Sequence, residues 1–292
     1  MNKKETIGLF LKRGILLSPE ELEKINEENY MQVLESKSGE KKDEGSVVSR
    51  PQKGKISSEE FIKKHNMKFE FLRETLLRKI EAVSINKGRK VFSEVAIIGR
   101  VKDITERGFV VEDVTGETET VTEKEEIKVG DVLGMKGFFK ENLFFPKQII
   151  WPDVPLENNP KPLGTEITLT TKVKENTNGI VVCPNAKESE NTITGFDKLG
   201  MIKTSKEGRE IRIVAYSPEK EINEEEAVRI LKKRLIPEAW VVDNLMKEIP
   251  DIFWLFNNKR NWTRNYKGVI IISSDESSFA ECGLEEIRFG KI

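Results

Sequence analysis

Apolar positions recur at helical spacing over residues 5–34 (ETIGLFLKRGILLSPEELEKINEENYMQVL). Within that stretch Ser18-Pro19-Glu20-Glu21 supplies an N-cap, a first-turn proline and carboxylates that suit the helix dipole, which predicts a small helical module over 1–35. Residues 36–56 (SKSGEKKDEGSVVSRPQKGKI) mix Gly, Ser, Pro and charge without periodicity, the composition of a flexible linker. Helical spacing returns from Ser57 to about Ile85, opened by a Ser-x-x-Glu capping pattern.

At Glu94 the period changes from helical to alternating. EVAIIGRVKDI, GFVVEDVTGETETVT, GDVLGMKGFF and NLFFPKQIIWP are β-rich runs separated by turn residues such as Glu106-Arg107-Gly108 and Thr115-Gly116. Five short strands in about 60 residues suit a Greek-key barrel of the OB type, and a simple meander fits the same pattern. After the Pro-rich joint WPDVPLENNPKPLG (151–164) come further strand-like runs: TEITLTTKV, GIVVCP, LGMIKT, REIRIVAY, DIFWLF, GVIIISS and EEIRFG. One strong helix interrupts them, INEEEAVRILKKRLI (222–236), acidic in its first turn and basic in its last. The expected fold is α+β and mostly β, with a helix plus barrel over 57–160 and a strand-dominated unit over 161–292.

Composition narrows the chemistry. With 49 Lys+Arg against 50 Asp+Glu the net charge is −1, so no global basic field exists for nonspecific nucleic-acid binding. Residues 94–153 carry 8 basic against 13 acidic side chains, which argues for packing or protein contact, not base stacking, as the use of Phe109, Phe138, Phe139, Phe144 and Phe145. Cys183 and Cys282 lack metal-ligand spacing and read as buried small hydrophobes. No run reaches the roughly 18 apolar residues of a membrane span, and MNKKETIGLF lacks the apolar core of a signal peptide, so a cytoplasmic location and no membrane partner are expected. The only histidine, His65, reads as a solvated residue on an amphipathic helix; its isolation disfavours Ser-His-Asp hydrolysis and most metal-dependent hydrolysis.

Several stretches resemble the small subunit of the archaeal D-family DNA polymerase, of the replicative polymerase B-subunit family. EVAIIGRVKDI, VEDVTGE and KQIIWPDVPL are similar to that family's OB domain and its exit into a calcineurin-like phosphoesterase domain. IGLFLKRGILLSPEELEKI is similar to its small helical domain, and RLIPEAWVVDNLMKEIPDIFWLFNNKRNWTRNYKGVIIISSDES to its last phosphoesterase segment. Active members hold two divalent metals through an Asp-x-His, a Gly-Asp-x-x-Asp, a Gly-Asn-His-Asp, a Tyr-His-Gly and a Gly-His-x-His. Here the third resembles Pro184-Asn185-Ala186-Lys187, the fourth Tyr216-Ser217-Pro218 and the fifth Phe256-Asn257-Asn258-Lys259, each without its histidine. Between Pro162 and Val181 there is no room for the first two.

The resemblance implies a shortened, degenerate phosphoesterase domain with no metal, no cofactor and no catalytic residue. The emptied positions are Asn185, Ala186, Lys187, Ser217, Asn257 and Lys259. It implies a non-catalytic accessory subunit that scaffolds the large catalytic subunit and reaches DNA through the complex, with Lys187, Lys259 and Arg260 as possible DNA contacts. Two other functions remain open: a stand-alone single-stranded DNA-binding OB protein, and a residual metal-dependent nuclease with Asp251, Asp275 and Glu276 around one metal.

Overall fold

The computed structural model describes residues 57–122, 127–156, 166–172, 179–184, 186, 192–206, 209–237, 244–283 and 286–292, together with a strand at Ser46–Ser49. The predicted helical module over 1–35 lies outside them. So does the linker over 36–56, apart from that strand, β1 (Ser46–Ser49), which pairs antiparallel with Met201–Lys203.

Ser57 accepts a hydrogen bond from the backbone N–H of Glu60 and so starts α1 (Ser58–Leu77). The predicted helix is shorter than its pattern: the chain turns after Leu77 and forms only the single turn α2 (Ile85–Gly88) before the first barrel strand. That barrel is closed, in the order β2 (Val95–Ile104), β3 (Gly108–Asp113), β4 (Gly116–Val121), β6 (Leu143–Ile150), β5 (Val132–Lys140). This is OB topology rather than a meander, because β4 pairs parallel with β6 and β2 closes onto β5. Ile97, Val101, Phe109, Leu133, Met135 and Phe144 fill it.

Local chemistry sets the turns. Asp113 accepts from the N–H groups of Thr115 and Gly116, and its other carboxylate oxygen caps Ile85. Glu141 and Asn142 both take positive φ, 51° and 66°, which makes the β5–β6 connection a two-residue hairpin of the primed kind. Gly137 sits at a register shift where a Cβ would lie 2.1 Å from the Phe145 carbonyl oxygen, so only glycine fits.

The rest of the chain builds two facing sheets. One has the order β1, β10 (Leu199–Lys206), β11 (Arg209–Tyr216), β12 (Ile252–Leu255), β14 (Val269–Ser273), β13 (Trp262–Tyr266). The other runs β16 (Ile287–Lys291), β15 (Ser278–Cys282), β7 (Ile167–Leu169), β8 (Ile180–Val182), β9 (Thr192–Ile193). Ile167, Val182, Ile213, Trp254, Phe256 and Cys282 meet between them. On the outer side of the first sheet Val214, Tyr216, Phe253 and Leu255 pack under α3 (Glu224–Lys233) through Val228 and Leu231. β12 is therefore buried on both faces, which explains its unbroken apolar run. Both cysteines are buried as expected, and burial pushes the Cys282 thiol up to about 12.

Two polar anchors join barrel and sandwich. Asp131, at the start of β5, receives Lys233 of α3 at 2.6 Å, and the Lys233 ammonium stands 5.2 Å from the centre of the Trp151 ring. At the barrel exit Asp153 accepts from the Tyr266 hydroxyl at 2.9 Å and from Lys267, while its own N–H donates to the Lys232 carbonyl. Burial, then the hydrogen bond to Asp153, raises the Tyr266 hydroxyl well above its ordinary pKa. Phe69, Leu72 and Leu76 of α1 seal the same seam against Ala96, Ile98 and Leu245.

Burial raises the Asp131 carboxyl above its ordinary pKa although Lys233 and the Lys128 N–H oppose the shift. A folded pKa above the unfolded one gives stability that is full below the unfolded value and declines as pH rises through the folded value. Asp131→Ala, which strands a lysine that is 12% exposed, is expected to cost about 3–5 kcal/mol at neutral pH. Replacing both partners together (D131L with K233M) should recover most of that loss and remove this part of the pH dependence, as chemical denaturation from mildly acidic to neutral pH will show.

Candidate functional site at the strand ends

The parallel strands β11, β12 and β14 end side by side, and the polar turns singled out in the sequence follow them. Ser217 comes directly after β11 and Asn257 two residues after β12. The Asn257 side-chain amide donates to the Ser217 hydroxyl at 3.3 Å, so two of the three turns singled out in the sequence touch. Asn257 takes φ 56°, a conformation that asparagine tolerates better than most residues. Asn185 and Lys187 lie outside the described residues. Their neighbours reach the same end of the sandwich: Pro184 accepts from Gly195 N–H at 3.1 Å, and the adjacent Phe196 ring stands edge-on to Phe256, 6.0 Å away. Ala186, half-buried, accepts a hydrogen bond from Thr194 through its carbonyl.

Behind this surface lies a residue that sequence reasoning passed over. Asn258 is 3% exposed and every polar atom of its side chain is used. Its Oδ1 accepts from Ile222 N–H at 3.1 Å, while its amide donates to the Ile222 carbonyl at 2.7 Å and to the Ser273 hydroxyl at 2.9 Å. Ser273 in turn donates to the Arg260 carbonyl, and Ser274 accepts from the Trp254 indole at 2.9 Å. The signal was available in the sequence as a doubled Asn beside a Ser-Ser pair, but only the fold shows that they are partners. This network ties the end of β12 to β14 and to the approach to α3, and it leaves no side-chain oxygen aimed outward as a ligand.

Electrostatics match that closure. Lys259 and Arg260 are exposed, and both face the same carboxylate, Glu221, at 3.6 and 3.5 Å. Among the described residues no group of three or more His, Cys, Asp or Glu side chains is placed to hold a metal ion. The acidic trio of the nuclease alternative is split. Asp251 precedes β12, where it pairs with Arg212 at 3.3 Å, whereas Asp275 follows β14 at its other end, roughly 15–20 Å away along the strands. Asp275 keeps a lowered pKa even though burial opposes it, because Ser277 and Ser278 donate to its carboxylate, the signature of a turn.

Other sequence candidates also find their places. β7 and β8 are parallel neighbours joined by residues 170–179, shorter than the dozen or more residues of an ordinary parallel crossover. His65 is half-buried, not solvated: it stacks on Phe61 beside the barrel, and burial, then the charges of Arg100 and Lys68, lower its pKa. Phe109 and Phe144 are core residues and Phe139 packs against that core. Phe138 and Phe145 instead stack on each other, centres 5.5 Å apart, on the outer face of β5–β6 in the same rows as Lys136, Lys140 and Lys147. Two concavities of about 440 and 490 Å³ flank α1; neither is lined by Ser217, Asn257 or Asn258. Among the described residues no helix is long and apolar enough to cross a membrane.

No protein-family profile matches the chain. Over 111 residues it is 27% identical to the DNA polymerase II small subunit of Archaeoglobus fulgidus, a stretch that covers 35% of this chain and 23% of that protein. The chain thus spans about a quarter of the length of the curated relative it matches.

Asn258→Ala leaves the Ile222 N–H and carbonyl without partners in a buried place and removes the bond Ser273 accepts, and is expected to cost about 2–4 kcal/mol of unfolding free energy. Manganese or magnesium at millimolar concentration should leave the Tm of the native chain unchanged, since a resident ion would raise it by mass action.

Proposed function

We propose that the chain is a non-catalytic accessory subunit of a D-family DNA polymerase, a platform of barrel and sandwich that holds the large catalytic subunit and meets DNA only within that complex. One observation supports the reading: at the strand ends the turns form a hydrogen-bonded surface, Asn257 on Ser217 over a saturated Asn258 network. Two hard cations close together need bridging carboxylates and imidazoles; an amide, a hydroxyl and two side-chain cations that share Glu221 offer neither. The similarity to a polymerase small subunit and the rigid barrel–sandwich joint support a scaffolding role in place of hydrolysis. On this reading the calcineurin-like domain is trimmed and its 3′–5′ exonuclease activity is lost. Lys259 and Arg260 contact phosphate only in the assembled complex, where Glu221 can be displaced.

Co-expression with the cognate large subunit should give a stable complex whose polymerase activity exceeds that of the large subunit alone. The isolated chain should release no nucleotide from labelled DNA with manganese present. Failure to co-elute overturns the proposal.

A second reading rests on the Phe138–Phe145 pair, in which exposed Phe138 stacks on half-buried Phe145 beside Lys136 and Lys140 as a small stacking platform. It requires the isolated chain to bind single-stranded oligonucleotides with an affinity that falls steeply with salt. Phe138→Ala with Phe145→Ala should then weaken binding by at least about tenfold, at 1–3 kcal/mol per stacked base. Absence of binding at low salt removes this reading.

A further inference from the structure

The groove of about 490 Å³ lies on the sandwich side of α1. Its floor is apolar, with Phe71 of α1, Met201 of β10, Val214 of β11 and Leu245. Among the described residues its rim carries five cations, Lys64, Lys68, Lys203, Arg212 and Lys247, against one lining carboxylate, Glu248. Lys64 also pairs with Glu60, Arg212 with Asp251 and Lys203 with Glu248, but surface bridges of this kind are worth under about 1 kcal/mol and exchange readily. Met67, 54% exposed, stands at the lip.

Two observations indicate what covers it. β1 pairs with Met201, Ile202 and Lys203, the same three residues that line the groove, so the chain that precedes α1 is already fastened to the groove's edge. Upstream of β1, residues 18–34 (SPEELEKINEENYMQVL) carry five glutamates, Glu20, Glu21, Glu23, Glu27 and Glu28, and one lysine, Lys24. At 100° per residue Leu22, Ile25, Tyr30 and Val33 fall on one face and the glutamates on its flanks and back. From Leu34 to Ser46 the chain can span up to about 40 Å, so reach does not limit docking.

We propose that residues 18–34 dock as an amphipathic helix in this groove, with Leu22, Ile25, Tyr30 and Val33 against its floor and the glutamates against its cationic rim. The strand at Ser46–Ser49 makes the docking intramolecular and raises the effective concentration of the segment at the groove. The helical module would then be part of the platform, not a tethered ornament.

Hydrogen exchange of the full native chain tests this. Amides of 18–34 should exchange at least about tenfold more slowly than expected for an unstructured segment, and Met67→Glu with Lys247→Glu should abolish that protection. Both positions are exposed, and unchanged protection of β12 will show that the fold survives. Zero-length carbodiimide coupling in dilute solution should join the glutamates of 18–34 to Lys64, Lys203 or Lys247 within one chain. The proposal is overturned if 18–34 is unprotected, if its protection survives the double substitution, or if the couplings scatter over distant lysines such as Lys136. It is equally overturned if the couplings form only between two copies of the chain, or if protection appears only with the large subunit bound.

Discussion

Everything in this molecule that could act as a platform depends on the way Asp131 and Asp153 clamp the barrel to the sandwich. A closed barrel and a two-sheet sandwich each bury their own core, and nothing in either core dictates their relative orientation. Orientation comes from Lys233 meeting Asp131 at one end of α3, and from Tyr266 and Lys267 meeting Asp153 at the β13–β14 turn. Asp153 adopts a positive φ of 52° there, a conformation held by three surrounding hydrogen bonds. The pair at Asp131 is an expensive device, since burial raises its carboxyl pKa against the pull of the lysine. Such a pair specifies geometry more than it adds stability.

Arg234 shows the same preference for specification at the seam. It closes α3 in the left-handed conformation, is 6% exposed, and pairs with no carboxylate among the described residues; burial and the charge of Arg78 hold its pKa down at about 10. Its guanidinium donates to the Lys247 carbonyl and lies 5.4 Å from the centre of Phe71, so the cation is held by a carbonyl dipole and a ring face. α1, α3 and the segment after Asn244 thus meet around one planar group, beside both large grooves.

The strand ends tell a complementary story. In an α/β sheet the carboxyl ends of parallel strands are where backbone direction favours a ligand site. Here those ends carry the protein's own hydrogen bonds: Asn258 is buried on Ile222 and Ser273, and Asn257 donates to Ser217. A buried network with every member satisfied holds the strand ends rigidly.

Much of this was legible in the residues alone. Alternation and turn chemistry revealed the five barrel strands, and dipole-matched charges revealed α3, because those signals are local. The absence of histidine from the turns at Asn185, Ser217 and Asn257 was equally plain, since it is read from residue type alone. Tertiary structure decided the rest. β13, whose residues Trp262–Tyr266 alternate with polar positions, and β15, with its small and polar Ser278–Cys282, are strands only because neighbours with matching edges lie beside them. β1 reads as linker by composition and pairs because β10 offers an open edge. Phe109 and Phe144 went inward while Phe138 and Phe145 went outward because barrel closure, not hydrophobicity, assigns the two faces of a strand. The separation of Asp251 from Asp275, and the partnership of Asn258 with Ile222 thirty-six residues away, are long-range facts that one-dimensional spacing does not carry.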